Sequence, residues 1–277
     1  MSATDVRPAR AGAEPARRRR PELPSSVLGL VGLVAFAALL ELLPRTGIVS
    51  AEYFPPFSEM VRALVEAAGT DRFWAATAET VQAWGIGLGI ALVAGIGLGL
   101  LIGSVEVLRR FTASTIEFLR PVPSVALIPL AVLLLGLGLQ STLLLVVYAS
   151  FWQILIQVIY GVQDVDPVAR ETARSYHLGR WARVRYLIWP TALPYVMTGV
   201  RLGAAVALIL AVTAGLVGIG TGLGAEIALA QSSNAVPLVY GLVIFTGLLG
   251  VVVNLAARVL ERRTLAWHSS VRADVGG

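Results

Sequence analysis

The 277-residue sequence has no cysteine, no lysine and two histidines, and only 14% of it is charged against 56% apolar. Without cysteine there is no disulfide framework, thiol nucleophile or cysteine-rich zinc site. Without lysine there is no Walker A loop, which ends in Gly-Lys before a Ser or Thr, and no Schiff-base lysine. His177 and His268 are too few for a histidine-based metal cluster. Soluble domains carry about a quarter charged residues, so this chain, with a mean hydropathy of +0.77, lacks the charge to solvate a globule of its size. It reads as an integral membrane protein whose energy is supplied by something else. At about 20 residues per helical span, it has room for six spans with loops to spare.

What the chain does have is arginine in blocks. All 22 basic residues are arginines. A net charge of +5 and a pI near 10.1 would point to nucleic acid in a soluble protein. Here topology explains the charge, and no nucleic-acid partner is expected. Arg7, Arg10 and Arg17 to Arg20 precede the first apolar stretch, and Arg109, Arg110 and Arg120 lie between the second and third. Arg170, Arg174, Arg180, Arg183, Arg185 and Arg201 lie between the fourth and fifth, and Arg258, Arg262, Arg263 and Arg272 close the chain. The alternate loops hold only Arg45, Arg62 and Arg72. The positive-inside rule then puts both termini in the cytoplasm.

Residues 1–24, rich in Arg, Ala and Pro, read as a disordered cytoplasmic tail; 25–267 as the membrane domain; 268–277 as a cytoplasmic C-terminal tail. Ser25 to Leu43 is the first span, between Pro24 and Pro44. Its apolar core exceeds the 7–15 residues of a secretory signal, which favours an uncleaved anchor. Phe57, Met60, Val61, Leu64 and Val65 recur at helical spacing opposite Glu59, Arg62 and Glu66, which fits an outer interfacial helix or a solvated loop. Thr80 to Gly103 is the second span. Its pairs Gly85/Gly89, Gly95/Gly99 and Gly99/Gly103 are four apart, so each pair shares a face that another helix can approach closely.

Glu106 to Leu119 is amphipathic and either hugs the cytoplasmic interface or extends a span. In the following Arg120-Pro-Val-Pro-Ser-Val-Ala-Leu-Ile-Pro-Leu, Pro121, Pro123 and Pro129 remove three backbone donors and prevent a regular helix. Broken backbone at membrane depth persists only where protein or a water-filled cavity covers it, an arrangement transporters place beside the substrate path. A proline-kinked packing helix is the alternative. Thr142 to Val162, Tyr195 to Val217 and Leu238 to Leu260 are the remaining spans, whose central parts read as free of ionisable residues. That disfavours a proton relay or ion-coupled carrier. Gly220, Gly222 and Ala225 match a dinucleotide pattern but follow a membrane helix rather than a strand, so that reading fails.

Residues 163–194 are the most informative. Asp166 before Pro167 is an N-cap followed by proline at the first helical position. The helix should run to about His177 and stop at Gly179, with Val168, Thr172, Ala173 and Tyr176 on one face and Arg170, Arg174 and His177 on another. A second helix covers Trp181 to Trp189 and ends before Pro190 and Pro194. The pair is either a rigid knob for a partner to grip or a solvated positive-inside loop.

Glu171-Thr-Ala, Gly179 and Ile188-x-Pro190 resemble the EAA loop of ABC importer permeases. The segment from Arg120 to Leu130, Leu193-Pro-Tyr-Val-Met-Thr-Gly-Val-Arg201, Gly222-Leu-Gly224 and Leu260-Glu-Arg-Arg-x-x-x-Trp267 are similar to the nitrate/sulfonate/taurine-type branch, over roughly residues 25 to 268. The resemblance implies an all-α type I ABC importer permease fold with six transmembrane helices and a cytoplasmic coupling helix between the fourth and fifth. It implies that Glu171, Ala173 and Gly179 meet a separate ATPase subunit and that Pro190 closes the loop. Asp166, Arg170, Thr172, Arg174, Tyr176 and His177 join the same coupling surface. Thr172 replaces the family's second alanine, and Gly215 stands where many members of the branch carry an acidic residue.

The implied assembly has two permease copies, an ATPase dimer and an extracytoplasmic substrate-binding protein in a bacterial inner membrane, with ATP and magnesium held by the ATPase. This chain itself would bind no cofactor or metal and have no catalytic residue. Candidates for the translocation path are Pro121, Pro123, Ser124, Pro129, Gln157, Thr198 and Thr213. A membrane-embedded enzyme would need carboxylate pairs to hold magnesium; the close pair Asp164 and Asp166 is explained by capping. A scaffold or sensor that grips a cytoplasmic partner is the other alternative.

Overall fold

A computed structural model describes residues 25–265, so both tails, with Trp267 and His268, lie outside the described residues. The described residues form helices and turns with no strand. The chain runs α1 (Ser25–Arg45), α2 (Phe57–Ala68), α3 (Asp71–Ser104) and α4 (Glu106–Leu119), then a 3-10 turn (Ser124–Leu127) into α5 (Ile128–Leu135). It continues through α6 (Leu139–Gln163), α7 (Pro167–Ser175), α8 (Arg180–Arg183), a π-helical turn (Val184–Ile188), α9 (Trp189–Leu216), α10 (Leu223–Ser232) and α11 (Val236–Thr264).

The centre is a three-helix pack of α3, α6 and α9. Gly95, Gly99 and Gly103 give α3 a bare stripe into which Ile154, Val158 and Val162 of α6 press. A Cβ at these glycines would come within 2.7 to 2.8 Å of those side chains. The helices therefore run parallel, matched turn for turn, as small-residue seams permit. Gly85 and Gly89, expected to share that role, have nothing within 4 Å; Gly87 meets Val146 instead. α9 runs antiparallel on the other side of α6, with Gly161 against Ala192 and Tyr195, and Gly203 against Ile154. Leu145, Val146, Ile154, Val158, Ala207 and Ala214 are buried in this seam.

Five helices are long and apolar enough to cross a membrane. The sixth crossing is broken: α4 and the segment Ser124–Leu135 are inclined at 83°. They form a crossing because the segment starts just after Gly103, which meets Val162 at the loop end of α6, and finishes at Gly138, where α6 begins. Of the two readings of α4, extension of a span holds: Tyr148 of α6 donates its hydroxyl hydrogen bond to the Leu119 carbonyl (2.7 Å). Arg120 therefore lies at mid-height and not in a loop. Arg201 falls inside α9 and faces Glu261 at 3.7 Å. The expectation that the span interiors carry no ionisable group is corrected at both positions; a kinked crossing and a long helix bring loop-like sequence into the bundle.

Two proline expectations also change. Pro121 and Pro123 make the break, but Pro129 opens α5 at a first-turn position, where no donor is required. Pro190 and Pro194 do not end a helix: Arg180–Leu216 is one continuous 37-residue segment. The π-helical turn lies directly before Pro190, widening the backbone where the ring would meet the carbonyl four residues back. Residues 57–68 form the helix expected there rather than a loop, held by Met60 and Leu64 against Gly241 of α11.

Candidate functional site

The loop joining α6 to α9 is built from local signals. The Val168 N–H donates to the Asp166 carboxylate (2.7 Å), and Pro167 opens α7. The helix stops through His177, whose φ of 54° is left-handed. There the Leu178 N–H donates to the Ala173 carbonyl (3.0 Å) and the His177 N–H to that of Arg174 (2.9 Å), closing the last turn. Gly179, expected to stop α7, instead caps the start of α8. Its φ of −58° suits any residue, and a Cβ there would meet nothing within 4 Å. Neither backbone nor packing within this chain requires a glycine at that point.

The knob has two unlike sides. Ala173 is buried against the loop, and the Arg170 guanidinium donates to the Val162 carbonyl at the end of α6. Arg170, Arg174, Arg180 and Arg183 line a cavity of about 750 Å³ bounded by the end of α3 and the start of α9. Arg170 and Arg174 thus line a cavity within their own chain. The other side is open: Glu171, Thr172 and His177 are exposed, as are Val168 (68%), Tyr176 (78%), Trp181 (76%) and Tyr186 (70%). Among the described residues the Glu171 carboxylate has no partner. Ala173 leaves the predicted face with Val168, Thr172 and Tyr176 because the loop turns it inward. Trp181 and Tyr186 were not singled out from sequence, although aromatic residues beside arginines in a polar loop were the available signal. Both are exposed in the single chain, and large exposed aromatics are enriched at partner surfaces and at membrane interfaces.

The candidate path residues do not converge. Pro121, Pro123 and Ser124 sit together at the break between α4 and α5. Gln157 packs its Cβ toward Gly199 of α9. Thr198 donates to the Pro194 carbonyl (3.1 Å) and Thr213 to that of Ile209 (2.8 Å), so both hydroxyl protons are used within α9 and only their acceptor lone pairs remain. Thr213 also lines a groove of about 540 Å³ between α9 and α11, with Thr246, Asn254 and Arg201.

Residues 91–266 match the family of binding-protein-dependent transport system inner membrane components. The chain belongs to this family. It is 29% identical to the taurine transport system permease protein TauC of Escherichia coli over 230 residues, which cover 81% of this chain and 84% of that protein. It is 28% identical over 244 residues to the putative aliphatic sulfonates transport permease protein SsuC of Bacillus subtilis, 87% of this chain and 88% of that protein. It is 28% identical to the nitrate import permease protein NrtB of Synechocystis over 176 residues, 64% of each chain. A chain of a bacterial ABC transporter that imports the acidic polysaccharide alginate superposes with a TM-score of 0.62 at 15% identity, covering 86% of this chain and 96% of that one. A chain of the inward-facing MetNI methionine ABC transporter gives 0.61 at 18% identity, covering 69% and 95%.

The fold is that of a type I ABC importer permease, all-helical, and the matched stretch contains both the knob and the broken crossing. In this permease Gly215 has no room for the acidic side chain that the resemblance would put there. A Cβ there would lie 2.8 Å from the Ala225 nitrogen and 2.9 Å from the Thr221 carbonyl oxygen.

Proposed function

We propose that this permease forms the membrane path of an ATP-driven importer of a small anionic solute of the taurine, sulfonate or nitrate class. The observation that carries the reading is the knob of residues 166–186, rigidly capped and exposing Glu171, Tyr176 and Trp181 beside an unconstrained Gly179. A separate ATPase dimer, holding ATP and magnesium, grips this side of the knob. The arginine bias puts the knob and both termini in the cytoplasm, and an extracytoplasmic binding protein delivers solute to the opposite end.

A second copy of the chain closes the path, by the two-fold symmetry usual for such assemblies. Closure of the ATPases draws the two knobs together. α8 runs unbroken into α9, a lever of about 55 Å at 1.5 Å per residue, so displacement at Arg180 tilts the fifth span against α6. The path then alternates its access by rigid-body motion. The test is Gly179→Trp: a Cβ there meets nothing within 4 Å, so the permease should still insert and run monodisperse, while co-purification of the ATPase subunit falls to background. Undiminished co-purification overturns the docking assignment. A scaffold that never transports is separated by ATP-dependent uptake in proteoliposomes, which it would lack.

A further inference from the structure

The break in the third crossing leaves a guanidinium in the membrane that makes no ion pair among the described residues. α4 rises beside α6: Arg109, Glu117, Arg120 and Pro121 line one groove with Gln153, Tyr160 and Gln163, and the Tyr148 hydroxyl donates to the Leu119 carbonyl beside Arg120 (2.7 Å). Gln153 is ten residues from the loop end of the 25-residue α6, about 15 Å at helical rise and about half of the roughly 30 Å hydrocarbon thickness. These residues line one groove of about 580 Å³. Among the described residues the side chains of Arg120, Glu117 and Arg109 have no ion pair or hydrogen bond, and Arg120 is exposed in the single chain. Two arginines against one glutamate leave the groove net positive.

A charge at that height is stable only facing water, an opposite charge or the bundle interior. We infer that the α4–α6 groove is a water-filled stretch of the solute path and that Arg120 is the residue that holds a small oxyanion there, with the Gln153 amide as a hydrogen-bond donor beside it. Pro121 and Pro123 end α4 at that point, and the chain turns there through the Val122 N–H donating to the Leu119 carbonyl (3.2 Å), with Arg120 exposed at the turn. A guanidinium offers paired N–H donors that match sulfonate, nitrate or carboxylate oxygens. The same chemistry would grip a lipid phosphate, and solvent access decides between the sources. This inference rests on the anion-importer reading above, but its test needs neither ATPase nor transport.

The natural absence of cysteine makes the test clean: Gln153→Cys introduces the only thiol. In membrane vesicles bearing the full chain, that thiol is reacted with a methanethiosulfonate carrying an ethylsulfonate and with one carrying a quaternary ammonium. The expected result is reaction with both reagents, and an anionic-to-cationic rate ratio that drops by about tenfold when Arg120→Gln is added. That is the attraction lost by one reagent and the repulsion lost by the other across several ångströms of water. Arg120→Lys restores most of the ratio. A thiol that does not react places lipid in the groove, and a ratio insensitive to Arg120→Gln removes Arg120 from the path; either result overturns the inference. Failure here with Gly179→Trp still blocking ATPase binding would leave the importer reading standing.

Discussion

His177 holds a left-handed backbone, φ 54°, at a position where glycine is favoured. Its ring Nδ1 lies 3.2 Å from the Arg174 carbonyl oxygen and 3.1 Å from that of Ser175, which partly offsets the strain. Replacing it by glycine should relieve about 1 kcal/mol at the end of α7. Hydrogen exchange at the Leu178 amide, bonded to Ala173, should slow by about fivefold; unchanged or faster exchange would contradict the cap. The Asp166-Pro167 start of α7 was legible because capping is a matter of three adjacent residues. The stop was not, since a left-handed histidine has no sequence mark, and Gly179 two residues later offered a more familiar signal.

At the level of elements, the seam of α3 and α6 rests on a stripe of glycines, only some of which belong to it. Gly99→Leu drives a side chain into Val158, while Gly97→Ala points into open space. Overpacking costs about 1 to 3 kcal/mol where neighbours can yield, and here the neighbours are a β-branched side chain and the Leu155 carbonyl. Thermal unfolding in detergent should therefore show a lowered midpoint or lost monodispersity for Gly99→Leu and none for Gly97→Ala; equal behaviour of the two would sink the seam. Which of seven glycines in α3 face a partner depends on the angle of packing, so Gly85 and Gly89 could not be sorted from Gly95 and Gly99 by spacing alone. The spans themselves were legible from hydropathy. The continuation through Pro190 was not, because a π-helical turn directly before it changes the hydrogen-bond register that a proline rule assumes; Pro194 lies inside α9 itself.

Across the described residues, burial is uneven. α3, α6 and α9 form the core, while the most apolar stretch of α1 is only 6% buried and its Leu28 and Leu33 are 56% and 69% exposed. The side chain of Glu41 near its end bonds the Ser58 N–H (2.8 Å), tying α1 to the start of α2. The family was readable because the knob signature is a local feature of the sequence. The height of Arg120 was not, since it depends on α4 rising beside α6 instead of lying flat. The central claim is that the knob passes ATPase motion into α9. It is tested most directly by Glu171→Lys in the full importer reconstituted in proteoliposomes with its cognate binding protein. ATP-dependent uptake should fall by tenfold or more, about 1.4 kcal/mol per decade, while insertion and monodispersity match the parent chain. Uptake at the parent rate would contradict the account.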